Sequence, residues 1–375
     1  MTKHGSHNRL AKLAFAASLI TTALATPLDP TGLLRRADSP KVDTQEATEC
    51  KLDPKSFGAS VEGVSVNKAG DVYAVDFHGN AEVKEGKTPD TIGFFHKVEG
   101  GVGGVMSQTP FIIPQGDAKK PPFLAGSRFV KGGANILVAD AQNKRVMSVD
   151  VNTKQSTVFC QDPGMLQPND ISISTKKDCL IYLSGQNYTV STAGKDGDIW
   201  TCDGNKATKF PADILKEANI HRTNGIEADP TGEFLYVTSV TNKEAGVVTD
   251  LKIFKFALDK ATGHIREEKP TLFHHFQNEA KGTDLDGMRT DVDGNLYVAL
   301  NAGGRIAKLN KEGNLVQYIN TPALTGPSNL ELGGKDGKTL FAVGKCKDAS
   351  KGKGCAVMAP VDKPGRAFES LNGRK

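Results

Sequence analysis

Asp286-Gly287-Met288-Arg289-Thr290-Asp291-Val292-Asp293-Gly294-Asn295-Leu296-Tyr297-Val298-Ala299 is the stretch on which the fold turns. An acid followed by glycine stands 11 residues ahead of an apolar strand centred on Tyr297. The intervening Asp291-Val292-Asp293-Gly294 is turn chemistry, because Gly and Asn tolerate the positive φ of tight hairpins. The stretch therefore reads strand, turn, strand. Four other segments repeat it at spacings of 11 to 13 residues: Glu62-Gly63 before Val72-Tyr73-Ala74-Val75, Asn169-Asp170 before Ile181-Tyr182-Leu183, Asn224-Gly225 before Leu235-Tyr236-Val237, and Asn329 before Leu340-Phe341-Ala342-Val343. A sixth unit, Ile136-Leu137-Val138-Ala139 after Lys131-Gly132-Gly133, fills the gap between 73 and 182. Strand units recurring every 44 to 64 residues without a helical pattern predict an all-β chain. The expected architecture is a six-bladed β-propeller with four-stranded antiparallel blades.

The N-terminus predicts where the protein works. Lys3, Arg9 and Lys12 precede an apolar run from Leu13 to Ala25 that closes on Ala23-Leu24-Ala25, the pattern of a secretory signal peptide over residues 1–25. The run is shorter than the roughly 20 residues a transmembrane helix needs, so a secreted protein without a membrane anchor is expected. Arg35-Arg36 resembles a fungal-type processing site, which makes 26–36 a propeptide and 37–375 a single propeller domain. Without residues 1–36 the chain carries 42 basic and 42 acidic side chains. Nucleic acid, which requires a concentrated positive field, is therefore excluded as a partner, and a monomer with a small molecule in its central channel is expected. The Lys345 to Lys353 stretch reads as a solvated hairpin tip.

Six cysteines in a secreted chain imply disulfides, with Cys346 and Cys355 the expected pair because the Gly/Lys-rich segment between them can close as a hairpin. No Cys-x-x-Cys or Cys/His cluster has zinc-site spacing. Asn187-Tyr188-Thr189 is a glycosylation sequon.

In a propeller, residues at one repeat position on the innermost strands converge on the axis. Here they are Glu62, Asn169, Asn224, Asp286 and Asn329, with the second unit blank at Ala125 or Gly126. A lone Asn-Gly or Asp-Gly is ordinarily a hairpin residue, but five at one register argue otherwise. Two carboxylates and amide carbonyls form an all-oxygen set that suits Ca²⁺, tolerates Mg²⁺ or Mn²⁺, and is wrong for Zn²⁺.

The Asp286–Ala299 stretch resembles a signature of the senescence-marker-protein/gluconolactonase/luciferin-regenerating-enzyme family of six-bladed calcium propellers. Asn224-Gly225-Ile226 followed by Asp229-Pro230-Thr231-Gly232-Glu233-Phe234-Leu235-Tyr236-Val237-Thr238 is similar to another of its motifs. The likeness extends over nearly the whole mature chain. It implies that Glu62, Asn169, Asn224 and Asp286 hold the metal, which polarises a lactone or ester carbonyl while Asp286 serves as general base. The layout also resembles a secreted member encoded in fungal trichothecene toxin clusters. One departure is Gln167-Pro168-Asn169-Asp170, where sugar-lactone members carry an Arg two residues before the Asn; losing that bidentate cation disfavours sugar lactones. Ala125-Gly126-Ser127-Arg128 lacks the His of the related paraoxonase propellers. Further channel candidates are Asn329, Gln167, Arg128 and His221, with Asp140 at the rim. The sequence supports two functions: a metal-dependent hydrolase, or a non-catalytic propeller that keeps calcium for stability and acts as a binding or accessory protein in secondary metabolism.

Overall fold

The structure, a computed structural model, describes residues 42–50, 52, 60–77, 91–95, 111–112, 122–187, 197–244, 247–348 and 354–373. The signal and propeptide segments lie outside the described residues, as does most of the Lys345 to Lys353 stretch. Residues 42–375 are one compact unit, an all-β propeller whose consecutive strands pair antiparallel. Its sheets begin, in chain order, with the strands Ser60–Val66, Leu124–Val130, Gln167–Ile173, Arg222–Ala228, Asp284–Thr290 and Leu324–Gly333. Each of these first strands contacts that of the next sheet, and the last contacts the first, so together they line a central axis.

Five sheets have four strands, and the fifth in chain order has five. This departs from uniform four-stranded antiparallel blades. Asp43–Glu46 adds parallel to Leu315–Asn320 on the outer edge of the fifth sheet. Thr48–Cys50 then crosses over to pair antiparallel with Gly354–Pro360 as the outer strand of the sixth. The N-terminal segment thus ties the last two sheets together and covers edges that would otherwise present unpaired backbone groups.

The apolar core is divided among the interfaces between neighbouring sheets, one cluster to each. The second strand of every sheet is buried on both faces, which is why it reads as a continuous apolar run and not as an alternation. Tyr182, Tyr297 and Phe341 at the centres of these strands are fully buried, whereas Tyr73 is only half-buried. The Tyr297 hydroxyl reaches Asp291 Oδ2 at 3.4 Å, and Tyr182 donates to the Gly263 carbonyl, so each buried phenol finds an acceptor in a turn.

Candidate metal and active site

Every first strand is interrupted at the same place. In all six sheets the pairing with the second strand sets two residues against one: Glu62-Gly63 opposite Val75, Ala125-Gly126 opposite Ala139, Asn169-Asp170 opposite Ser184, Asn224-Gly225 opposite Thr238, Asp286-Gly287 opposite Ala299, and Ser328-Asn329 opposite Val343. Such a bulge bends the strand and re-aims its side chains. The repeated polar-Gly pair of the sequence is therefore a bulge. Its glycine has a steric reason, since a Cβ on Gly63, which has φ +39°, would lie 1.9 Å from the Ala125 carbonyl oxygen of the next sheet. At Gly225 a Cβ would lie 2.2 Å from the Asp286 carbonyl oxygen.

The first bulge positions are thus Glu62, Ala125, Asn169, Asn224, Asp286 and Ser328. Asn329 takes the second position, where glycine or Asp170 stands elsewhere, and this corrects the reading that put it in register with the other four. Its Oδ1 accepts from the Leu330 amide at 2.9 Å, as Asp170 Oδ1 does from Ile171, so it serves its own bulge.

The four remaining candidates form an oxygen-rich, poorly compensated set. Burial raises the Glu62 carboxyl well above the usual range, and the charge of Asp286 raises it further. Asp286 is pushed up to about 7 by burial, against the lowering effect of a 2.8 Å hydrogen bond donated by Asn301 Nδ2 to its Oδ2. The nearby carboxylates Asp284 and Asp170 raise it as well. Asn224 is buried, and its Oδ1 has no hydrogen-bond partner. An orphaned buried carbonyl at the same bulge position as two carboxyls that burial disfavours as anions is the environment a hard dication would complete. Asn169 is half-buried at the same level. Among the described residues no three His, Cys, Asp or Glu side chains group as a metal site, and this set depends on its two asparagines.

Two residues before each bulge lies the mouth of the channel. There Arg222 donates to Gln186 Oε1 at 2.9 Å and to Asp284 Oδ2 at 2.5 Å. Gln167 is buried, opposite Gln186 in the strand pairing. His221 Nε2 contacts Asn219 Oδ1 at 3.1 Å, within its own loop. Asp140 is likewise structural, holding Arg145 at 2.8 Å and the Phe123 amide at 3.1 Å.

Arg128 is not a rim residue. Three positions beyond the first bulge residue, the strands present Ser65, Arg128, Ser172, Glu227, Arg289 and Glu331, all buried. Arg128 reaches Asp170 at 3.3 Å and Glu227 at 3.4 Å; Arg289 reaches Glu331 at 3.0 Å and Asp170 at 3.5 Å. Arg366, from the C-terminal helix Arg366–Leu371, adds a 2.7 Å bond to Glu227. Burial alone would push Glu227 up, but the guanidiniums of Arg366, Arg128 and Arg289 hold it below its usual range. Glu331, with less cationic company, is raised by burial. This charged layer was missed in the sequence, although its signal was there: the residue three places after each bulge start.

A cavity of about 370 Å³ opens onto the bulge level, lined by Ser60, Glu62, Asn301, Thr325, Ser328 and Lys345 among others. Cys346 and Cys355 are disulfide-bonded, and a second bridge, Cys160–Cys202, joins the second and third sheets. That pair is 42 residues apart, so only the packing of sheets reveals it. Asn187 is half-buried, and the other two sequon residues lie outside the described residues.

The fold has counterparts among known proteins. Regucalcin from Agrobacterium tumefaciens, a calcium-binding protein, matches with a TM-score of 0.61 at 16% identity over 86% of this chain and 99% of its own. A luciferin-regenerating enzyme matches at 0.60 with 14% identity over 85% of this chain and 97% of its own. A gluconolactonase from Xanthomonas campestris matches at 0.56 with 15% identity over 82% and 88%. At these identities the likeness shows the fold alone. Among curated proteins no match is found. The family model described as SMP-30/Gluconolactonase/LRE-like region matches residues 108–343, more than half of the sequence, and the chain belongs to that family.

Proposed function

We propose that this is a secreted, monomeric, six-bladed calcium propeller that hydrolyses a lactone or ester in its central channel. Six sheets, with Asp43–Glu46 as an addition to the fifth, support the count of six blades. The observation that carries the reading is the unpartnered, buried Oδ1 of Asn224 at the same bulge position as Glu62, Asn169 and Asp286. Those four residues would hold the ion, calcium in preference to Mg²⁺ or Mn²⁺. When bound, it supplies Lewis-acid polarisation of the substrate carbonyl.

The remaining chemistry belongs to the chain. Asn301 holds one oxygen of Asp286 and so fixes the carboxylate plane, leaving the other oxygen to accept a proton from water. The hydroxide oxygen bonds to the acyl carbon, the C–O bond to the leaving oxygen breaks, and that oxygen recovers the proton from Asp286. Proton count is conserved, and no separate histidine is needed. The buried charged layer beneath keeps Asp170 paired with Arg128 and Arg289, so that carboxylate does not compete as a base.

The test is hydrolysis of a panel of aliphatic, aromatic and sugar lactones and aryl esters by wild type and Asp286→Asn, with calcium present. The variant keeps an oxygen of similar size but loses basicity. Turnover by wild type that is lost in Asp286→Asn supports the reading. A folded, metal-loaded wild type that turns over nothing points instead to a binding or accessory propeller, with a role in fungal secondary metabolism as its narrower form. Secretion is checked by the intact mass of the exported protein, which should begin at Thr26 or Ala37.

A further inference from the structure

We propose that Lys345 is a specificity-determining cation of the channel mouth, and that the ligand it orients carries an anionic group, a carboxylate above all. The inference rests on the hydrolase reading where it speaks of substrate, and on geometry alone where it speaks of binding.

Among the described residues, Glu62 and Lys345 are the charged side chains lining the cavity at the bulge level. Lys345 makes no ion pair among the described residues, whereas Arg222, the other cation at the mouth, is committed to Asp284 and Gln186. The backbone beneath Lys345 is held on both sides. It pairs with Gly326 and Gly354 in the sixth sheet, its carbonyl accepts from Thr325 Oγ1 at 3.3 Å, and the next residue is locked by the Cys346–Cys355 bridge. The ammonium thus stands on a rigid base at the rim while its stem stays free to follow a ligand. The hydroxyl of Ser60 shares the same lining and supplies a further donor.

Among the described residues, charge says what fits. A dication at the bulge level would be neutralised by Glu62 and Asp286, and Arg222 with Asp284 is neutral as a pair. Lys345, which is exposed, then has water but no carboxylate as its partner among the described residues. A neutral ligand would leave it so, whereas a ligand with one anionic group would complete it, and the volume of about 370 Å³ is that of a small-molecule site. The preferred substrate is accordingly a lactone with a carboxylate outside the scissile bond.

The experiment uses the full-length exported protein loaded with calcium, as wild type, Lys345→Gln and Lys345→Arg. Two readouts are compared: the kcat/KM ratio for a γ-lactone carrying a ring carboxylate against its carboxamide, and calorimetric binding of adipate, which requires no turnover. The expected result is a wild-type preference for the carboxylate that falls about fivefold to tenfold in Lys345→Gln, is largely kept in Lys345→Arg, and fades in high salt, with adipate affinity following the same order. Equal kcat/KM for the two lactones in wild type, or adipate binding that Lys345→Gln does not weaken, overturns the assignment and leaves the hydrolase reading standing. Lys345-dependent adipate binding without turnover of any lactone does the reverse.

Discussion

Asp286 shows how much one buried carboxyl can report. In the metal-free protein it is pushed up to about 7, so the folded state keeps a proton that the unfolded chain releases near pH 4. Between those values the native state binds more protons than the unfolded state, and stability must fall as pH rises, then level off above about 7. Thermal melts in excess chelator should therefore show a lower Tm at neutral than at mildly acidic pH, and calcium should remove the slope by stabilising the ionised form. A chelated protein whose Tm rises over that interval would contradict the assignment. The bulge geometry separates Asn224 from Asn329 in the same way. Asn224→Ala removes a carbonyl with no other partner and should weaken calcium binding about tenfold or more, read by titration of the ion. Asn329→Ala removes the cap of its own bulge and should cost about 1 kcal/mol in folding stability, with calcium affinity nearly kept. With Gln167 where a bidentate cation would favour sugar oxygens, sugar lactones should be the slowest substrates of the panel.

At the scale of the strand, the bulge is the device that matters. It puts the first residue of the pair on the channel side and forces the second to be small wherever the next sheet's backbone passes close by. Gly225→Ala drives a Cβ to 2.2 Å from the Asp286 carbonyl oxygen and so shifts the strand that carries Asp286. It should cost about 3 kcal/mol in chemical denaturation, and calcium affinity should fall with it. Unchanged stability in this variant would mean that the sheets are not in the register described. The sixth sheet shows a different solution, with Ser328 Oγ donating to the Val61 carbonyl at 2.8 Å and fastening the last inner strand to the first.

Residues 42–375 close as a ring, whose stability depends on closure and on what fills the axis. Three arginines and three carboxylates, charge-balanced and nearly excluded from water, occupy the middle of the channel. Removing one partner strands a buried charge, so Arg289→Met should destabilise by about 4 kcal/mol in urea unfolding, far more than a surface ion pair such as Lys177–Asp203 would. The Cys160–Cys202 bridge spans two sheets and shortens the unfolded chain by a 42-residue loop. Replacing both cysteines by alanine should lower stability by up to about 4 kcal/mol. Deletion of residues 42–50 removes the segment that joins the fifth and sixth sheets, and the Tm should drop without a change in the chemistry of the bulge level.

Period and spacing carried the strand units, the propeller class and five candidate oxygen-bearing residues, which the family resemblance narrowed to four, because a repeated supersecondary unit writes its geometry into local spacing. Asn224-Gly225 and Asp286-Gly287 are legible as a pair, since at each a Cβ on the glycine would collide with the next sheet. The Cys346–Cys355 bridge was legible for a similar reason, with both ends in one hairpin. What the tertiary structure decided lies between blades. The displacement of Asn329 to the second bulge position is invisible to a spacing that varies by two residues, and strand pairing is what resolves it. Arg128 could not be placed, because the facing of a side chain after a bulge depends on the bulge. The Cys160–Cys202 bridge, the strand borrowed by the fifth sheet and the arrival of Arg366 from the C-terminal helix join residues far apart in sequence. Such contacts depend on how the ring closes, and nothing local encodes that.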